Sequence, residues 1–316
     1  MEHRFAISHA SGLAAEAILE KLPESGIGPD SLVLLDDESR VGTKLAYAGT
    51  YLGTVNQHEF DFSQCNVLLM PQFDDVIEQQ ALAQGCLLLS HVIERDGAPL
   101  FVGSALRQPQ ISYTETSQRL VGAELSCLLP VLLELDRVQP IAQLNMTFMR
   151  SAEFYGKAGV DELASQTVSL LNSRKVKPQI FQQQIAFNLL TATGDPKIGS
   201  DLHYLLRNSA LSTVQQSLNV PAFHGFAAAV QIRFEADIPL KDCKRVLSCI
   251  DNIVVKNQPV SIISDCNQSF RCTIGNLEQV PNQPSMLQFW MMADPFRYGL
   301  ANNYVNVIGF LLKSFL

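Results

Sequence analysis

Residues 5–22 read FAISHASGLAAEAILEKL, and the change of texture inside that stretch decides the fold class. Phe5-Ala-Ile is a short apolar run that reads as a strand, and Gly12 to Leu22 has helical composition stopped by Pro23. The alternation then repeats. Ser31-Leu-Val-Leu-Leu reads as a second strand, Cys65 to Met70 as a third and Cys86 to Leu89 as a fourth, and Asp74 to Gln84 reads as a helix ended by Gly85. These runs are continuous rather than alternating in polarity, as in strands covered on both faces. Strand–helix–strand order with buried strands predicts a parallel sheet, with a ligand site outside the carboxyl ends of its strands.

After residue 105 the texture changes. Ser117 to Asp136 reads as a long helical stretch bent or interrupted at Pro130, and Ile141 to Met149 as a strand. Lys157 to Leu171 reads as an amphipathic helix with Val160, Leu163, Val168 and Leu171 on one side. Gly225 to Glu235 sets Val230, Ile232 and Phe234 against Gln231, Arg233 and Glu235, which predicts a half-buried strand. Asp242 to Ile250 reads as helical. Val260-Ser-Ile-Ile, Phe270 to Ile274 and Met286 to Met292 read as strands, and a last helix covers about Phe296 to Leu312. The second part is therefore expected to be α+β with a mostly antiparallel sheet.

The whole chain has 316 residues, room for two domains, and at 47% hydrophobic it can fill both cores. Its 23 basic residues against 31 acidic ones leave a net charge of −8, which argues against nucleic-acid or anionic-membrane partners, since both need a basic face. The longest apolar stretch, Leu125 to Leu133, is broken by Ser126 and Pro130, far short of the ~20 residues of a membrane span. The expected protein is cytoplasmic, globular and without a membrane partner. Seven cysteines, none in a CxxC, lie mostly in apolar runs and read as free core thiols. The six histidines include no HExxH and no pair at ligand spacing, so no metal is expected. The acidic doublets Asp36-Asp37 and Asp74-Asp75 read as solvated turns or helix starts.

The first strand–helix junction, Ser8-His9-Ala10-Ser11-Gly12-Leu13-Ala14-Ala15, lies where a dinucleotide's phosphates would sit. A phosphate-binding turn wants glycines there. Only Gly12 is present, with His9 and Ala15 at the flanking glycine positions, so Ser11 and Gly12 are weak cofactor candidates.

Four later segments carry a resemblance: Gly156-Lys-Ala-Gly-Val-Asp-Glu-Leu, Gln184-Ile-Ala-Phe-Asn-Leu-Leu, Asn219-Val-Pro-Ala-Phe-His-Gly and Gln288-Phe-Trp-Met-Met-Ala-Asp-Pro-Phe-Arg-Tyr-Gly. In this order, over nearly the whole chain, they resemble the aspartate-semialdehyde dehydrogenase family, most closely its divergent Usg-type paralogues. The resemblance implies an amino-acid-biosynthesis family and an α/β architecture. Residues 1–120, with a returning C-terminal helix at about 297–316, would form a Rossmann-like NAD(P)-binding domain. Residues 121–296 would form a dimerisation domain, giving a homodimer.

Active relatives, as the resemblance implies, use a cysteine thiolate against the aldehyde, a histidine as acid/base, a glutamine to orient the adduct and an arginine to clamp the substrate carboxylate. The matching positions here are Thr114, Phe226, Arg150 and Asn219. All four have changed. A threonine hydroxyl ionises far less readily than a thiol, and a phenyl ring moves no proton. His224 lies two residues before Phe226, on the other side of Gly225, and is a candidate to replace the lost histidine. Where NADP-using members hold the 2′-phosphate, this chain has Asp37-Glu-Ser-Arg-Val-Gly. An acidic group there favours NAD over NADP if either binds. The expectation is a catalytically inactive family member. The alternatives are an NAD(P)-dependent semialdehyde dehydrogenase with an altered site, or a ligand- or partner-binding protein that uses the inherited cleft.

Overall fold

The computed structural model describes residues 4–92, 98–102, 116–266 and 268–314. The chain forms two compact units, Met1–Ser126 with Gly299–Leu316, and Cys127–Tyr298.

In the first unit, β1 (Phe5–Ile7) leads into α1 (Leu13–Lys21) and β2 (Leu32–Asp36). A hairpin of β3 (Lys44–Tyr47) and β4 (Thr50–Asn56) follows, then β5 (Val67–Leu69), α2 (Asp75–Ala83), β6 (Leu87–Ser90) and β7 (Ser117–Arg119). The strands lie in the order β3-β4-β2-β1-β5-β6-β7, all parallel except the β3–β4 pair. β1 has β2 on one side and β5 on the other, so the chain reverses direction across the sheet there, and the crevice opens above its carboxyl end. Ala6, Leu35, Leu68 and Leu88 from neighbouring strands meet Ile77 and Ala81 of α2 in one buried cluster. The strands read from continuous apolar runs are present. The β3–β4 hairpin was not anticipated.

The second unit takes in most of α3 (Ala123–Val138), then β8 (Ile141–Arg150), α4 (Gly156–Leu171), β9 (Leu190–Ala192), α5 (Ile198–Leu205), β10 (Ser212–Asn219) and β11 (Phe226–Phe234). It continues through α6 (Leu240–Leu247), β12 (Ile253–Lys256), α7 (Ile262–Asp265), β13 (Cys272–Val280) and β14 (Gln283–Ala293). Its sheet order is β12-β13-β14-β11-β8-β10-β9, with four antiparallel and two parallel pairings. A wide-turned stretch at Pro295–Ala301 ends in α8 (Asn302–Ser314), which belongs to the first unit and packs on α1.

Three readings need correction. Ser117–Arg119 is strand β7, and the helix read from Ser117 starts at Ala123 and runs through Pro130. In α4, Leu163 is buried and Val160 and Leu170 pack beside it, whereas Val168 and Leu171 are 57% and 73% exposed. At 3.6 residues per turn Leu170 returns to within about 20° of Leu163, while Val168 and Leu171 are turned away by about 140° and 80°. Val260-Ser-Ile-Ile leads into a one-turn helix rather than a strand: Ser261 stands at its N-cap position, and the Asp265 carboxylate accepts the Ser261 N–H at 2.7 Å. Local side-chain bonding of this kind outweighs the β-branched composition.

Candidate functional site

Three of the four positions matched to the family's chemistry lie in one row of the second sheet. β8 runs between β10 and β11, and its register sets Arg150 opposite Asn219 on one side and Phe226 on the other. Thr114 lies outside the described residues.

The row is packed rather than open. Phe226 is fully buried, its ring centroid 5.5 Å from Phe148 and 6.1 Å from Phe154, which also meets Phe296 at 6.0 Å. The Arg150 guanidinium lies 5.8 Å from the centre of the Phe154 ring and donates to the Thr193 carbonyl at 2.9 Å. Asn219 is buried and donates from Nδ2 to the Tyr155 hydroxyl at 2.7 Å, while its Oδ1 has no hydrogen-bond partner among the described residues. Phe154 and Tyr155 come from a single 3-10 turn, Ala152–Tyr155, between the end of β8 and α4.

The same turn supplies Glu153, which sequence reasoning missed. Buried at 3% exposure, it accepts the Gly225 backbone N–H, the Ser151 hydroxyl at 3.3 Å and His224 Nδ1 at 3.0 Å. Burial, reinforced by the nearby Asp294 carboxylate, pushes its acid strength down, so its pKa lies above the usual range despite these donors. His224 is thus tied to a carboxylate, with its side chain about one-third exposed. Gly225 takes a left-handed φ of +92°, and a Cβ there would strike Ile262 of α7. The available signal was the segment Ala152-Glu-Phe-Tyr ahead of Gly156-Lys-Ala-Gly, which puts a carboxylate and two large rings at the mouth of a sheet.

In the first unit, the turn from β1 to α1 retains the tight backbone. Gly12 N–H bonds the His9 carbonyl at 2.8 Å, and a Cβ on Gly12 would press on that carbonyl. No side chain caps α1, as a phosphate-binding helix start requires. The side chains above the turn contradict that role. His9, in the left-handed region at φ +49° and 8% exposed, donates its backbone N–H to Gln57 Oε1 at 3.1 Å. Its Nε2 lies 3.2 Å from Gln57 Nε2 and 3.8 Å from Asp74, and Gln57 in turn donates to Asp37 at 2.6 Å. Burial lowers the His9 pKa even with Asp37, Asp74 and Asp36 facing it. Asp36 takes the Ser11 N–H at 2.8 Å, so the buried member of the acidic doublet bonds the turn itself, while Asp37 stays exposed. The imidazole therefore spans loops that follow β2, β4 and β5, where a dinucleotide's pyrophosphate and ribose would lie. The residues present fit a dinucleotide poorly.

A family model described as the semialdehyde dehydrogenase dimerisation domain matches residues 135–297, about half of the chain. The chain belongs to the semialdehyde dehydrogenase family. It is 28% identical to a USG-1 protein homolog from Pseudomonas aeruginosa over 98% of each chain. To an aspartate-semialdehyde dehydrogenase from Legionella pneumophila it is 24% identical, over 98% of this chain and 96% of the other. Its fold matches the crystal structure of aspartate semialdehyde dehydrogenase II from Vibrio cholerae with a TM-score of 0.89 at 24% identity, covering both chains in full. A probable aspartate-semialdehyde dehydrogenase from Pseudomonas aeruginosa gives 0.88 at 25% identity, again over the full length of both. Among the described residues no helix is long and apolar enough to cross a membrane.

Proposed function

We propose that the chain is a cytoplasmic, homodimeric family member that does not oxidise a semialdehyde. One observation carries the reading: at the histidine position stands Phe226, its ring enclosed by Phe148 and Phe154 in the row it shares with Arg150 and Asn219. A phenyl ring moves no proton. Thr114 offers a hydroxyl where covalent chemistry needs a thiolate. Asn219, bonded to Tyr155, cannot make the two-pronged charged contact a carboxylate prefers.

Dinucleotide binding is weak or absent because of the His9–Gln57–Asp37 arrangement, and the acidic Asp37 favours NAD over NADP. The dimerisation-domain match supports the homodimer. Phosphate-dependent reduction of NAD or NADP with aspartate semialdehyde tests the catalytic reading.

A further inference from the structure

Cys65 and Cys86 stand just ahead of two neighbouring parallel strands of the first unit, β5 and β6. Val67 pairs with Leu87, and the Leu87 N–H reaches the Asn66 carbonyl at 2.8 Å, so Cys86 is staggered by one residue from Cys65. The sulfurs point at each other across 3.3 Å within an apolar pocket that includes Phe62, Ile77 and Ala81. The loops bearing them are tied together, since Ser63 N–H is shared between Asp61 and Gln84 Oε1 at 3.1 and 2.8 Å. Cys65 is 6% exposed and follows an exposed turn, while Cys86 is fully enclosed.

We propose that Cys65 and Cys86 form a reversible disulfide site, oxidised by a small hydroperoxide. Cys65, as thiolate, attacks the peroxide; its sulfur becomes a sulfenic acid and water leaves once the departing oxygen is protonated. Cys86 then gives up its proton and attacks the Cys65 sulfur, expelling a second water. Two thiols and one hydrogen peroxide thus give one disulfide and two waters. The order of attack has electrostatic support: the hydrogen bond from Cys86 holds the Cys65 thiol below its ordinary range, and the same bond together with burial pushes Cys86 far up. The bridge would tie the two ends of the segment that carries α2.

The test uses the full, reduced chain, treated with hydrogen peroxide, quenched, then denatured and alkylated. The expected result is two fewer alkylated thiols of the seven, a peptide pair joined through Cys65 and Cys86, and recovery of all seven with dithiothreitol. Cys86→Ser should remove the linked pair; Cys249→Ser, which deletes the exposed thiol, should leave it. Seven unchanged thiols, a bridge between other cysteines, or oxidation confined to Cys249 would overturn the proposal. If Cys86→Ser fails to fold, the wild-type peptide map decides alone.

Discussion

The turn above β1 and the row across β10, β8 and β11 occupy comparable places, each at an end of a central strand. Their packing differs. Above β1 the backbone is intact and one side chain, His9, lies across it, tethered by Gln57. In the row, Phe226 and Asn219 are buried, Phe226 among other rings, and Glu153 is bonded to the backbone of Gly225, while Arg150 stays partly exposed. A plug can be pulled with little loss of stability. A site rebuilt as core cannot be reopened without loosening the unit.

That contrast can be broken first at Gly225. Alanine there would meet a left-handed φ of +92° and the Ile262 side chain together, so Gly225→Ala should destabilise the protein by at least about 3 kcal/mol in a urea titration. A loss under about 1 kcal/mol would show that the row tolerates rearrangement, contrary to its description as core.

Glu153→Gln sharpens the same side of the comparison. Burial and Asp294 raise the Glu153 pKa, so the folded chain holds that proton more tightly than the unfolded one. Stability from this group is fully present below the ordinary glutamate range and is lost as pH rises through the raised value. The variant should be less stable than wild type by about 1 kcal/mol in acid, through weakened hydrogen bonds. That deficit should shrink as pH rises, as read from denaturation midpoints across the acid range. A deficit that grows with pH would reverse the assignment.

The smallest effect belongs to the plug. His9→Gly removes the imidazole and suits the left-handed φ, so stability should stay within about 1 kcal/mol of wild type. Affinity for NAD, by calorimetric titration, should rise about tenfold or more, equivalent to about 1.4 kcal/mol. Unchanged affinity would mean that His9 does not close the crevice.

What the sequence disclosed follows the same divide. Continuous apolar runs marked β1, β2, β5 and β6, because strands covered on both faces leave that trace. The β3–β4 hairpin left none: it turns at Ala48-Gly49, both at positive φ, and alanine is not the residue that signals such a turn. Strand β10, Ser-Thr-Val-Gln-Gln-Ser-Leu-Asn, is too polar to register as a strand, although it places Asn219 beside Arg150. The chemical row was legible because four segments matched a family pattern in order. Glu153, Gln57 and Asp36 were not, since each acts through contacts of long sequence separation, 72 residues from Glu153 to Gly225 and 48 from Gln57 to His9.

Absence of catalysis is tested directly by phosphate-dependent reduction of NAD or NADP by the wild-type protein with aspartate semialdehyde. Thr114→Cys alone and the triple variant Thr114→Cys, Asn219→Arg, Phe226→His are measured beside it. Nucleophile, base and clamp act as a unit, and losing one such member typically costs on the order of 10⁴-fold or more. Wild type and Thr114→Cys should therefore show no turnover above the uncatalysed background, with any activity confined to the triple variant. Appreciable turnover by the wild-type protein would show that it catalyses the reaction with Phe226 and Thr114 in place.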